Sequence, residues 1–102
     1  MKDYDLNIWF PEDYDPSTGE TTWASTLSVQ AYLWVDNYPS EGPIIELTPE
    51  ETETLRIQMP AWDYGDDWWY GLEGFLKDIA IPPRLQAFFD ALPQPEFEAF
   101  LP

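Results

Sequence analysis

From Thr21 to Asp36 the chain reads TTWASTLSVQAYLWVD, a run in which one kind of side chain recurs at every second position. Trp23, Leu27, Val29, Ala31, Leu33 and Val35 share one parity, while Thr22, Thr26, Ser28, Gln30, Tyr32 and Trp34 share the other. A period of two is what a half-buried pleated strand requires, and Thr, Val, Tyr and Trp suit that surface better than a helix. Strands usually run about 3–10 residues, so a bulge or break is expected between Ala24 and Ser28. A shorter run precedes it: Tyr4, Leu6, Ile8 and Phe10 alternate with Asp5, Asn7 and Trp9. Pro11 ends that strand because it has no ladder donor. The two runs imply an antiparallel meander. They are joined by PEDYDPSTGE, a long acid-rich connection whose turn chemistry comes from Pro16 and Gly19.

After Asp36 the pattern changes. Asn37 to Pro43 reads as a turn cluster, and Ile44, Ile45 and Leu47 as a short strand. Thr48, Pro49 and Glu51 form a helix start, with Thr48 as N-cap, Pro49 at the first helical position and Glu51 completing a capping box. Leu55, Ile57 and Met59 also alternate, so residues 54–59 read equally as helix or strand until Pro60 closes either one. Further on, Trp68, Leu72, Phe75, Leu76 and Ile79 lie at helical offsets. They predict a helix that begins after Gly65, capped by Asp66 or Asp67, with Glu73 and Lys77 paired at i, i+4. Gly71 and Gly74 weaken it and suggest close contact with another element. Pro82-Pro83 separates this helix from a second stripe, Leu85, Phe88, Phe89 and Leu92. Residues 93–102 form a Pro-rich tail whose Phe97, Phe100 and Leu101 are expected to dock on the core. Acid–aromatic interleaving keeps a disordered reading open for that tail alone. The expected fold is one α+β domain, 1–102: an antiparallel sheet of three or four strands from the N-terminal half, packed against two or three short C-terminal helices.

The charge is lopsided. Twenty Asp and Glu face four Lys and Arg, for a net charge of −16. Acidic disordered chains are poor in aromatics, whereas rings make up 18% of this one, so it folds. Self-repulsion of this kind costs stability. Duplex DNA carries one charge per roughly 1.7 Å of axis, so sixteen charges match roughly 27 Å of duplex, about the span of a domain this long. The charge density resembles that of DNA.

Much chemistry is excluded. The absence of cysteine and histidine removes thiolate chemistry, the usual general base and the commonest metal ligand. Asp13 to Gly19 has the look of a calcium loop, but the required Gly and Glu positions hold Thr18 and Ala24. Asp63, Asp66 and Asp67 beside Trp62 and Trp68 look like a sugar platform, although twenty acids make some such neighbourhood unavoidable. No phosphate-cradling glycine loop occurs, and four scattered cations leave no basic footprint for direct nucleic-acid binding. No catalytic residue, metal site or cofactor is expected. The longest apolar run, Ala31 to Val35, is far short of a membrane span, and Lys2, Asp3 and Asp5 do not start a signal peptide. The expected location is the cytoplasm of a bacterial or infected host cell.

In composition and size the chain resembles mobile-element antagonists of host defence, the anti-CRISPR and antirestriction proteins that present carboxylates where phosphates would bind. The resemblance implies a non-enzymatic DNA mimic that inhibits a basic nucleic-acid-binding protein. On that reading, lysines and arginines of the partner's groove pair with Glu12, Asp13, Asp15 and Glu20, with Glu46, Glu50, Glu51 and Glu53, and with Asp63, Asp66 and Asp67. Adjacent helical residues point about 100° apart, so Trp68 and Trp69 cannot both face one core. Trp69, with Trp62, is therefore a candidate ring anchor. Two alternatives stand beside this reading. One is an immunity- or antitoxin-type protein that plugs a basic toxin or nuclease through its aromatic anchors. The other is an assembly protein that forms a homodimer through exposed rings.

Overall fold

The computed structural model describes residues 4–35 and 38–93. In chain order it has strands β1 (Tyr4–Trp9), β2 (Glu12–Asp15), β3 (Glu20–Trp23), β4 (Ser28–Val35) and β5 (Tyr38–Glu46), helix α1 (Pro49–Arg56), strand β6 (Asp67–Gly71), and helices α2 (Leu72–Asp78) and α3 (Pro83–Asp90). The fold is α+β. A four-stranded antiparallel sheet runs in the order β5-β4-β1-β6, and β2 and β3 form a separate two-stranded sheet.

Strand alternation sorts the sheet into two unlike faces. Register pairs Leu6 with Ala31 and Tyr70, and Ile8 with Val29 and Trp68, while Ile45 lies beside Val29. These side chains make the inner face. Leu6, Ile8, Val29 and Ala31 are fully buried, and Leu55 of α1, Leu72 and Phe75 of α2, and Leu85 and Phe89 of α3 join them in one core. The helices therefore cover the inner face only.

The long alternating run is broken where expected. β3 ends at Trp23 and β4 starts at Ser28, and the intervening segment kinks the chain. The backbone groups freed there find partners: Ala24 N–H donates to Pro11 O at 2.7 Å, and Leu27 N–H donates to Thr52 Oγ1 of α1 at 3.0 Å. The second of these bonds is buried, which is why a threonine is buried on an otherwise apolar helix face. The acid-rich connection forms a hairpin, β2–β3. It is exposed along nearly its whole length. The molecule measures 57 × 31 × 20 Å with a radius of gyration of 15.4 Å, larger than the roughly 13 Å of a compact chain of about this length.

Helix α1 starts on the predicted capping box: Thr48 Oγ1 accepts from Glu51 N–H at 3.2 Å, and Glu51 Oε1 accepts from Thr48 N–H at 2.8 Å. It ends at Arg56, and Ile57 caps it, so residues 54–59 are helix and turn rather than strand.

Three expectations are corrected. The turn cluster at 37–43 is strand from Tyr38 onward, since β5 is an edge strand and tolerates Pro39 and Pro43. A register shift between Gln30 and Tyr32 places Gly42 against Ala31, where an added Cβ would sit 2.7 Å from the Ala31 carbonyl oxygen. Only glycine fits there. The helix predicted from residue 66 or 67 begins instead at Leu72, with Gly71 as an N-cap that supplies no side-chain bond. Asp67–Gly71 is the fourth strand, paired with β1. The helical offsets from Trp68 arise because a strand whose alternate residues face the core runs into a helix whose buried residues face the same core. Gly71 and Gly74 allow no close approach, since a Cβ at either meets nothing within 4 Å. They border an apolar hollow of about 290 Å³ with Met59, Tyr70 and Phe75. Residues 94–102 of the tail lie outside the described residues; at its start, Tyr4 Oη donates to Pro93 O at 2.6 Å.

Candidate binding surface

The predicted site residues fall into three places. Glu12, Asp13, Asp15 and Glu20 lie on the β2–β3 hairpin and are exposed. At its tip Asp15 accepts from Ser17 N–H at 2.9 Å and Ser17 Oγ at 2.7 Å, and these bonds hold its carboxyl below the usual carboxylate range. Gly19, at φ +74°, closes the turn. Asp15 also stands directly opposite Glu20, a like-charge cross-strand pair that works against the hairpin.

Asp63, Asp66 and Asp67 are exposed on the segment that leads into β6. Arg56 anchors that segment. Its Cζ lies 5.3 Å from the Phe10 ring centroid and 5.8 Å from that of Tyr64, and its Nη2 donates to Trp62 O at 3.2 Å. The segment therefore lies against the root of the hairpin. There an open cleft of about 400 Å³ is lined by Glu12, Asp66 and Asp67 together with Trp9 and Trp23. Two of the three acidic segments thus share one cleft.

Glu46, Glu50, Glu51 and Glu53 lie elsewhere, at the end of β5 and on α1. Glu51 is committed internally. Its carboxylate closes the capping box and accepts from Arg84 at 2.7 Å, which holds it below the usual carboxylate range despite partial burial. Arg84 also donates to the Glu46 carbonyl. Glu51 is thus the clasp between α1 and α3 and is not free for a partner.

Trp62 is corrected outright. It is 2% exposed, its ring stacks on Trp68 with centroids 5.2 Å apart, and its Nε1–H donates to Tyr70 Oη at 3.1 Å. It is a core residue and presents no ring to a partner. The sugar platform sketched from Trp62 and Trp68 fails for the same reason. Trp69 is 52% exposed, because alternation along β6 sends Trp68 inward and Trp69 outward.

Trp69 belongs to a surface that the sequence reading did not assemble, the outer face of the sheet. Register sets it out in rows running from β5 to β6. The first is Glu46, Ser28, Trp9 and Asp67; the second is Ile44, Gln30, Asn7 and Trp69; the third is Glu41, Tyr32, Asp5 and Gly71. Trp34 follows beside Pro39. The polar centre of this face is satisfied and nearly covered. Asn7 and Gln30 are each 8% exposed; Asn7 Nδ2 donates to Asp67 and to Trp68 O, each at 3.3 Å, and Gln30 Nε2 donates to Gly42 O at 3.2 Å. Above them the Tyr32 and Trp69 rings meet at 5.0 Å, Tyr32 Oη donates to Gln30, and Trp34 Nε1–H donates to Asp5. The second parity of the 21–36 run was the available signal for this face; it names Gln30, Tyr32 and Trp34.

No protein-family model, curated protein or solved structure matches the chain. Among the described residues no helix is long and apolar enough to cross a membrane, and no three carboxylates converge as a metal-holding group.

Proposed function

We propose that the protein is a non-enzymatic acidic inhibitor that occupies the basic groove of a nucleic-acid-binding protein in place of nucleic acid, acting in the cytoplasm as anti-CRISPR and antirestriction proteins do. The observation that carries this reading is how the two signs of charge are used. Every described carboxylate is exposed except those of Asp5 and Glu51. The described arginines are turned to internal work, Arg56 over Phe10 and Tyr64 and Arg84 on Glu51. The two arginines thus hold the fold together, while Lys77 and nearly all the described carboxylates face solvent. Such a surface costs stability through self-repulsion, a cost that a cationic partner offsets.

A salt titration with nucleic-acid competition tests this. The immobilised protein captures its partner from lysate, and the affinity of the purified pair is measured from about 50 to 200 mM salt, with and without duplex DNA. A steep fall with salt and displacement by nucleic acid are expected, as for phosphate contacts. An affinity indifferent to both would sink the proposal. The immunity-type alternative draws support from the exposed rings of Trp23, Trp34 and Trp69. It predicts that removing a ring weakens the complex more than neutralising several acids.

A further inference from the structure

We propose that the outer face of the sheet is the surface that receives the partner, and that it takes an arginine-rich segment in particular. This inference rests on the reading above and specifies where and how the cationic chain is held. The helices leave this face uncovered, and Trp34, Ile44 and Trp69 stand 46%, 54% and 52% exposed on it. Carboxylates mark its outer limits, with Glu41 and Glu46 along β5 and Asp67 on β6, while Asp5 sits inside against Trp34. An ammonium would be served by the carboxylates alone, as a strongly hydrated point charge. A guanidinium is planar and weakly hydrated, so it stacks on ring faces while its donors reach a carboxylate. Rings interleaved with carboxylates suit that geometry: Tyr32 stands between Glu41 and Asp5, and Trp69 shares β6 with Asp67.

The ring array is also held in place before any partner arrives. Tyr32 is fixed by its bond to Gln30 and its contact with Trp69, and Trp34 by its bond to Asp5, so little side-chain ordering is left to pay on binding. Charge argues against a second copy of this chain as the occupant, because each copy carries −16. It also argues against a nucleic acid stacking on the rings, since the carboxylates repel phosphates. The hairpin and the cleft at its root carry acids as well, but on this proposal they steer the partner and the face holds it.

The test uses two synthetic peptides, nona-arginine and nona-lysine, titrated into the isotopically labelled full chain at low salt. Backbone amides and tryptophan indole N–H signals are followed by NMR. Saturable shifts at Trp34 and Trp69, with Trp62 unmoved, are expected. Nona-arginine should bind about 2–5-fold more tightly than nona-lysine, the ring contribution at exposed sites. Trp34→Ser together with Trp69→Ser, at exposed positions that leave the inner core intact, should abolish that preference. Shifts confined to the hairpin and residues 63–67, or equal affinity for the two peptides, would overturn the proposal and leave the electrostatic reading standing. Saturable binding of neither peptide would remove both. A mass that rises with concentration, with Trp34 and Trp69 shifting upon dilution alone, would make the face a self-interface and overturn it as well.

Discussion

Trp62→Phe separates scaffold from surface within one stretch of sequence. The indole is buried at 2% exposure, stacks on Trp68, contacts Tyr70 at 6.0 Å and donates to Tyr70 Oη. Phenylalanine keeps an aromatic ring but loses the five-membered ring and its N–H. The hydrogen bond contributes about 0.5–1.5 kcal/mol net. The lost ring atoms amount to roughly one to two buried CH₂ equivalents, about 1–1.5 kcal/mol, with a further fraction of a kcal/mol from weaker stacking. The expected loss is about 2–3.5 kcal/mol, a large share of the 5–15 kcal/mol typical of a domain. At roughly 4–8 °C per kcal/mol, the melting temperature should fall by about 10–25 °C. Urea unfolding followed by far-UV circular dichroism measures this without depending on the tryptophan signal that the substitution removes. Trp69→Phe is the paired control: the ring is 52% exposed and a phenyl keeps its contact with Tyr32, so the expected change is smaller, about 0.5–1 kcal/mol. A Trp62→Phe loss below about 1 kcal/mol at unchanged m would refute the stacked-core placement.

Other outcomes follow from the same geometry. Raising NaCl from 10 mM to 1 M shortens the screening length from about 30 Å to about 3 Å, so the urea midpoint should rise as self-repulsion is screened; a flat response would contradict it. Because the folded Glu51 carboxyl titrates below its unfolded value, its contribution is complete above the unfolded pKa and is lost as pH falls through the folded one. The stability gap between wild type and Glu51→Gln, about 0.5–1.5 kcal/mol at pH 7 given the half-exposed Arg84, should therefore close on acidification below about pH 4; a gap that persists at pH 2 would contradict the clasp. Gly42→Ala should cost about 1–3 kcal/mol, because the new Cβ meets a backbone oxygen on a neighbouring strand. Gly74→Ala, in open space on α2, should instead stabilise by about 0.4–1 kcal/mol. Thermal unfolding of the two variants checks both signs.

Local chemistry was legible residue by residue. The alternation in Tyr4 to Phe10 and again from Ser28 onward identifies β1 and β4, and the capping box at Thr48 places the start of α1, because a period of two and a cap are properties of a few neighbouring residues. The excess of acid over base is equally a property of composition. Three things depended on how the elements pack and pair, not on the pattern of neighbouring residues. Asp67–Gly71 became a strand because β1 had an unpaired edge to offer it, and its hydrogen bonds outweigh a periodicity that fits a helix equally well. Trp62 went inside while Trp69 stayed outside, although both sit in one acid-rich aromatic stretch; Trp68 and Tyr70 supply a stacking partner and a hydrogen-bond acceptor for the first, and strand alternation turns the second outward. The outer face arose in the same way. Its rows draw one residue from each of four strands, and a row exists only once the registers are set. No single segment carries its pattern, because the spacing that unites Ile44, Gln30, Asn7 and Trp69 runs across the strands and not along the chain.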